Sequence, residues 1–237
     1  MTEVSNQIVD SRRFPRWMAL PLVLLFGAFG LAIYAFAIRA SAESILKDIF
    51  ALKVGVSSIA EVKALAARHQ GALREWHYDN QECVVSFEVD NTWLSRLKLE
   101  PTARFRAHVE ADDGTVSFIE VALLRDTGVF PTSDSAGITE EYRNVPEYLG
   151  SLPTPYWFRT PVGKPYLRVA LTTQASVAQR EHAYAYSLEC LTKLGGGCDL
   201  PCDYLPMAWH DWQAELEKQG FGVGGFGGYY PNRSRCR

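Results

Sequence analysis

Residues 104–125, Arg-Phe-Arg-Ala-His-Val-Glu-Ala-Asp-Asp-Gly-Thr-Val-Ser-Phe-Ile-Glu-Val-Ala-Leu-Leu-Arg, read as a β-hairpin. Phe105, Ala107 and Val109 alternate with Arg106 and His108, the two-residue period of a strand with one buried face. Ala111-Asp112-Asp113-Gly114 supplies the turn, and Thr115 to Arg125 returns beside the first strand. Upstream, Cys83, Val85, Phe87 and Val89 share one face with Ser86 and Glu88 on the other, and Asp90-Asn91 ends the run. Strands adjacent in sequence usually pair, so the expected sheet is antiparallel. Leu94 to Leu99 reads as a short strand or edge, and Tyr166 to Thr173 as a further strand. From His182 to Leu191 the alternation of Tyr184, Tyr186, Leu188 and Cys190 with small or polar residues is again that of a strand, although the composition also suits a helix.

Two helices frame these strands. Ser58-Ile59-Ala60-Glu61 has the form of a capping box, and Ile59, Val62, Leu65, Ala66 and His69 follow on one face, with Gly71 as the stop. Residues 206–219 carry Trp209, Trp212 and Leu216 at helical spacing, with Gly220 at the end. Between strands, residues 127–164 contain Pro131, Pro146, Pro153, Pro155 and Pro161 and read as a long connection, packing material over the sheet through Tyr142, Tyr156 and Trp157 or, as is common at such a length, a functional lid or binding loop.

Outward toward the N-terminus lies the one uncharged apolar run, from Trp17 to Ile38, closed by Arg16 and Arg39. As a helix it is about 33 Å long, enough to cross a hydrocarbon core of about 30 Å. It exceeds the roughly 7–15 residues of a signal-peptide apolar region, which favours an uncleaved anchor over a leader removed at the small-residue site Ala40-Ser41-Ala42. Arg12, Arg13 and Arg16 before the run are balanced by Arg39, Lys47 and Lys53 after it, so basic residues do not fix the orientation. The layout does: a short basic tail, a span and a large domain is that of a signal anchor with a cytoplasmic N-terminus. Glu43 to Lys53 (Ile45, Leu46, Ile49, Phe50, Lys53) carry a near-helical period, that of a helix continuing from the membrane or restarting just outside it. The expected fold class is α+β, organised as a tail (1–16), a transmembrane helix (17–38), an extracytoplasmic domain with a mainly antiparallel sheet and a few packed helices (43–218), and a glycine-aromatic tail (219–237).

Lys and Arg number 24 against 27 Asp and Glu, interspersed, so the chain has no basic stripe for nucleic acid. Of five cysteines, Cys83 reads as a buried strand residue, while Cys190, Cys198, Cys202 and Cys236 are disulfide candidates suited to an oxidising compartment. Gly195-Gly196-Gly197 frees the chain to join Cys190 to Cys198, with Cys202 or Cys236 as competing partners. Cys190, Cys198, Cys202 and His210 could instead bind zinc, but their spacing lacks paired knuckles. The Gly222–Gly227 pattern follows a helix and is followed by none, the wrong context for a dinucleotide fingerprint. No catalytic, cofactor or metal residues are assigned. Leu52-Lys-Val-Gly-Val-Ser-Ser58 with Glu61-Val62 resembles the opening of small bacterial envelope lipoproteins that assist outer-membrane assembly, a likeness confined to those residues that carries no function with it. The expected partners are the lipid bilayer, through Trp17 to Ile38, and a protein of the cell envelope. The function expected is therefore a membrane-anchored interaction or scaffolding domain without catalysis. The alternative is an anchored hydrolase-like enzyme, with His108, His182 or His210 and a carboxylate beneath the 127–164 connection.

Overall fold

The computed structural model describes residues 16–78, 82–125, 134–141, 156–159, 166–173, 175–194, 198 and 200–218. Helix α1 (Arg16–Ala51) runs without interruption from the apolar stretch into the domain. Two chemical environments follow each other along this one rod. From Leu20 to Phe36 most of its large side chains are bare, Phe29 at 63% and Phe36 at 72% exposure, with Leu31 and Tyr34 half-buried and Tyr34 packed on the core, whereas Ile38, Ala42, Ile45 and Ile49 are buried in the core. Their spacing of four, three and four residues keeps them on one helical face. The apolar run thus gives its last residue, Ile38, to the protein interior, which the sequence assigned to lipid.

Past α1, the linker at 52–58 pairs with the hairpin tip: Gly55 N–H donates to the Val116 carbonyl and Val116 N–H to that of Ser57. Helix α2 (Ile59–Arg68) has the expected capping box between Ser58 and Glu61, and buries Val62, Leu65 and Ala66. It ends at His69, before a 3₁₀ turn (Gln70–Ala72) that contains Gly71. Asp48 of α1 accepts hydrogen bonds from Arg68 (2.7 Å) and from His69 Nε2 (2.8 Å), which fastens α2 to α1. Burial alone would raise the Asp48 carboxyl, but these two bonds and the nearby charges outweigh it and hold the group below its ordinary range.

The sheet contains β1 (Leu73–Tyr78), β2 (Cys83–Asp90), β3 (Ala103–Asp112), β4 (Thr115–Arg125), β5 (Asp134–Glu141), β6 (Tyr156–Arg159) and β7 (Tyr166–Thr172) in the order β1-β2-β3-β4-β5-β7-β6. All neighbours are antiparallel except β5 and β7. The β3–β4 turn places Asp113 at φ 50° and Gly114 at φ 85°, the two positive angles of the tight turn whose twist matches a hairpin. Cys83, Val85, Phe87, Phe105, Ala107, Val109, Ile119, Val121, Leu123, Ile138, Leu167 and Val169 form the inner face, under α1 and α2.

Several expectations are corrected. Leu94 to Leu99 is not a strand: Thr92–Arg96 forms helix α3, because Asp90 accepts from both the amide and the hydroxyl of Thr92 and starts a turn there. Residues 182–191 are not a strand either. A second capping box, Ser176 with Gln179, starts α4 (Val177–Ala183), and a 3₁₀ turn (Leu188–Leu191) follows. Adjacent Cys190 and Leu191 are both buried, which strand alternation forbids. Within the 127–164 connection lie β5 and β6, and β1 was not anticipated. Helices α5 (Pro201–Tyr204) and α6 (Pro206–Lys218) complete the domain, with Ala208 and Trp209 buried and Trp212 packed on the Trp209 ring at 5.0 Å. The Leu216 side chain and the 219–237 tail, with its Gly222–Gly227 pattern, lie outside the described residues.

Candidate functional site

Cys190 and Cys198 form a disulfide, their Cα atoms 5.6 Å apart. This is the pairing read from the triple glycine, and it removes two of the four thiolate and imidazole ligands of the zinc alternative. Among the described cysteines only Cys83 is free, and it is buried, which raises its thiol pKa despite the charge of Lys63. Cys202 packs against the core, and Cys236 lies outside the described residues. In the chain-entropy account, a closed loop of about nine residues contributes about 2–3 kcal/mol. Replacing Cys190 and Cys198 together by serine is therefore expected to lower the unfolding free energy measured in urea by that amount under oxidising conditions and to change nothing in reductant. Equal stability of both proteins without reductant would contradict the bond.

The histidines named as catalytic candidates fall in separate places. His182 on α4 donates from Nδ1 to Asp211 of α6 at 2.7 Å, a tie between two helices. His210 is exposed on α6. His108, in the middle of β3, forms a relay on the outer face of the sheet. Its Nε2–H donates to Glu110 at 2.7 Å, and its Nδ1, 2.7 Å from Ser86 Oγ, accepts from that hydroxyl. The relay has the composition of a nucleophile, a base and an acid, and spacing alone could not have revealed it, because Ser86 and His108 meet only through the β2–β3 register. Both strands are flanked on each side, which draws the backbone N–H groups near Ser86 into the ladder, and the β1–β2 register shifts beside it, between Leu73 and Glu75.

Around this relay the outer face is laced with charges of both signs. Glu88 sits among Arg104 (2.9 Å), Arg106 (3.6 Å) and Arg74 (3.9 Å). Arg168 lies opposite Gly137 in the β5–β7 register and reaches Glu120 on β4 at 3.1 Å. Hollows lie between α1 and residues 181–189 and at the hairpin tip. One, of about 540 Å³, is lined by Glu43, Lys47, Phe50, Glu181, Tyr184 and Tyr186. The other, of about 410 Å³, holds Glu110, Asp112, Asp113 and Glu141 at the hairpin tip. Neither has a histidine in its lining, so neither gathers an imidazole with two carboxylates in the way general acid–base chemistry needs.

Electrostatics is most concentrated at the end of the sheet nearest the apolar half of α1. Arg125, 2% exposed, donates to the Cys198 carbonyl (3.1 Å) and lies 3.6 Å from Glu100. Asn91, fully buried, closes the loop before β3 by donating to the Pro101 carbonyl and accepting from Ala103 N–H. Burial pushes the Glu100 carboxyl up to about 7, against the opposing pull of Arg125, Asn91 and Arg39. A carboxyl whose folded pKa exceeds its unfolded value of 4.5 keeps its proton longer in the folded state, so Glu100's contribution to stability is fully present below 4.5 and is lost as pH rises through about 7. At about 1.4 kcal/mol per pH unit the loss approaches about 3 kcal/mol. Glu100→Gln is expected to flatten this slope between pH 5 and pH 8 in detergent-solubilised protein. A slope unchanged from the parent would refute the assignment.

No protein-family model, no curated protein and no solved structure matches this chain.

Proposed function

We propose that this chain is a single-pass membrane protein whose domain lies on the extracytoplasmic side and serves as an interaction or scaffolding module, without catalysis. The observation that carries the proposal is α1 itself. Its first half is apolar and uncovered by the described residues, and its second half is part of the core. A helix with Leu24, Leu25, Phe26 and Phe29 each more than 60% exposed is unfavourable in water, at about 25 cal/mol for every Å² of apolar surface, and favourable in lipid. Retention of the anchor is supported by the surroundings of the Ala40-Ser41-Ala42 site. Those residues lie inside α1, and Ala42 is fully buried against the domain, so a peptidase would have to unwind a packed helix to reach them. The Cys190–Cys198 disulfide supports an oxidising compartment for the domain. Its polar groups support binding over chemistry: the ion pairs of the outer face satisfy one another, and each histidine partnered above has one carboxylate.

The test is topology. Fused to the C-terminus, alkaline phosphatase is expected to be active and green fluorescent protein dark, because the first needs export and the second folds in the cytoplasm. The reverse pattern would put the domain inside and remove the disulfide's compartmental rationale.

A further inference from the structure

We infer that residues 92–99 are a second membrane contact, an interfacial foot that rests in the headgroup region beside α1; this rests on α1 spanning the bilayer. Trp93, Leu97 and Leu99 are 58%, 53% and 40% exposed, while Leu94 between them is buried and holds the segment to the domain. Isolated exposed apolar side chains need no explanation, but three within seven residues, interleaved with Arg96 and Lys98, make an amphipathic surface.

One contact fixes its depth. Trp93 N–H donates to the Tyr34 hydroxyl at 3.3 Å, inside the apolar run. Arg39, which closes that run, is five residues further on, about 7.5 Å along a helix. An interfacial segment buries its apolar side by about 5–10 Å, so the foot covers the depth such a segment occupies. Phe36, two residues from Tyr34, is 72% exposed and must face lipid if α1 spans; the Trp93 amide, held at the Tyr34 hydroxyl, is then at the membrane boundary as well. Tyr34 and Trp93 together have the composition of the aromatic belt found at that boundary.

The local conformation fits the same role. Leu99 N–H donates to the Leu94 carbonyl and Lys98 N–H to that of Ser95, closing α3 with Lys98 at φ 55°. Glycine is the usual residue at such a helix end. Lysine there accepts a strained backbone and keeps a cation beside the two leucines, and the Arg96 guanidinium lies 5.5 Å from the Trp93 ring centre. Both cations suit anionic phospholipid headgroups, and their long stems reach water from a shallow site.

The test reconstitutes the full chain into vesicles of zwitterionic and anionic phospholipid, with an environment-sensitive nitrobenzoxadiazole label at Leu97→Cys, at Leu99→Cys or, as a control, at Thr115→Cys. Buried Cys83 is shielded from the reagent. Thr115 pairs with Asp112 at the hairpin tip, nine residues along β3 from Ala103 and so about 30 Å from the foot. At positions 97 and 99 the expected result is blue-shifted emission and several-fold stronger quenching by lipid spin-labelled near the headgroup than at 115. If the protein resists carbonate extraction but 97 and 99 emit and quench like 115, the foot is refuted and the anchor stands. If carbonate releases the protein, the anchor fails and the foot with it. Blue-shifted emission without lipid quenching would mean that a protein surface covers the foot, and would also overturn the inference.

Discussion

Arg180→Ala is expected to destabilise the domain by about 3–5 kcal/mol, the cost of breaking a buried ion pair by removing one partner. Arg180 Nε donates to Glu140 at 2.8 Å, and its two terminal nitrogens donate to the carbonyls of Phe50 and Leu52, at and just past the C-terminus of α1. One guanidinium therefore neutralises a carboxylate that is only 8% exposed and satisfies carbonyls that the helix leaves without partners. It also lies over the rings of Phe50 (4.6 Å) and Tyr184 (5.0 Å). Lysine keeps the charge but cannot make three divergent bonds, so Arg180→Lys should recover only part of the loss. Chemical denaturation in detergent reads both variants, and a loss below about 1 kcal/mol for the alanine variant would mean that the cluster is exposed and screened like an ordinary surface pair.

The second large effect concerns where α1 is cut. A chain starting at Ala35 loses the bare apolar half and keeps Ile38, Ala42, Ile45, Ile49 and Leu52, all buried. It is expected to fold as a water-soluble domain with an intact Cys190–Cys198 bond. A chain starting at Lys53 loses all five. Burial of three isoleucines and a leucine contributes about 1.5–3 kcal/mol each, together comparable with the 5–15 kcal/mol net stability of a typical domain. That chain is expected to be unfolded or aggregated. Amide exchange and circular dichroism separate the two outcomes, and a cooperative, folded chain from Lys53 would show that α1 is not part of the core.

What could be read from the sequence was local. Ser58 and Glu61 announce α2 within four residues, and Asp113-Gly114 announces the β3–β4 turn, because caps and turns need particular side chains at fixed offsets. Cys190–Cys198 was legible for the same reason. Some misreadings came from local signals outweighed by an apparent period, others from groups brought together by register. α3 looked like a strand because Leu94, Leu97 and Leu99 carry little periodicity, and its start depends on Asp90, which terminates β2. Within 182–191 the alternation was accidental, since the Ser176–Gln179 cap had already committed the preceding turn to a helix. β1 has almost no buried face, its pattern running from half-buried Leu73 to exposed residues throughout, so it offered no period to detect. The parallel β5–β7 pairing and the Ser86–His108–Glu110 relay are properties of register across separate strands, which no single stretch encodes. The Arg125–Glu100 pair was hidden too: nothing in their own neighbourhoods marks two charged residues as buried.

Intact mass of the protein recovered from carbonate-washed native membranes shows whether the bare apolar half of α1 stays joined to the half that enters the core. The account predicts a chain that stays with the membrane pellet and retains residues 17–42. A mature chain beginning at Glu43, or one released by carbonate, would contradict it.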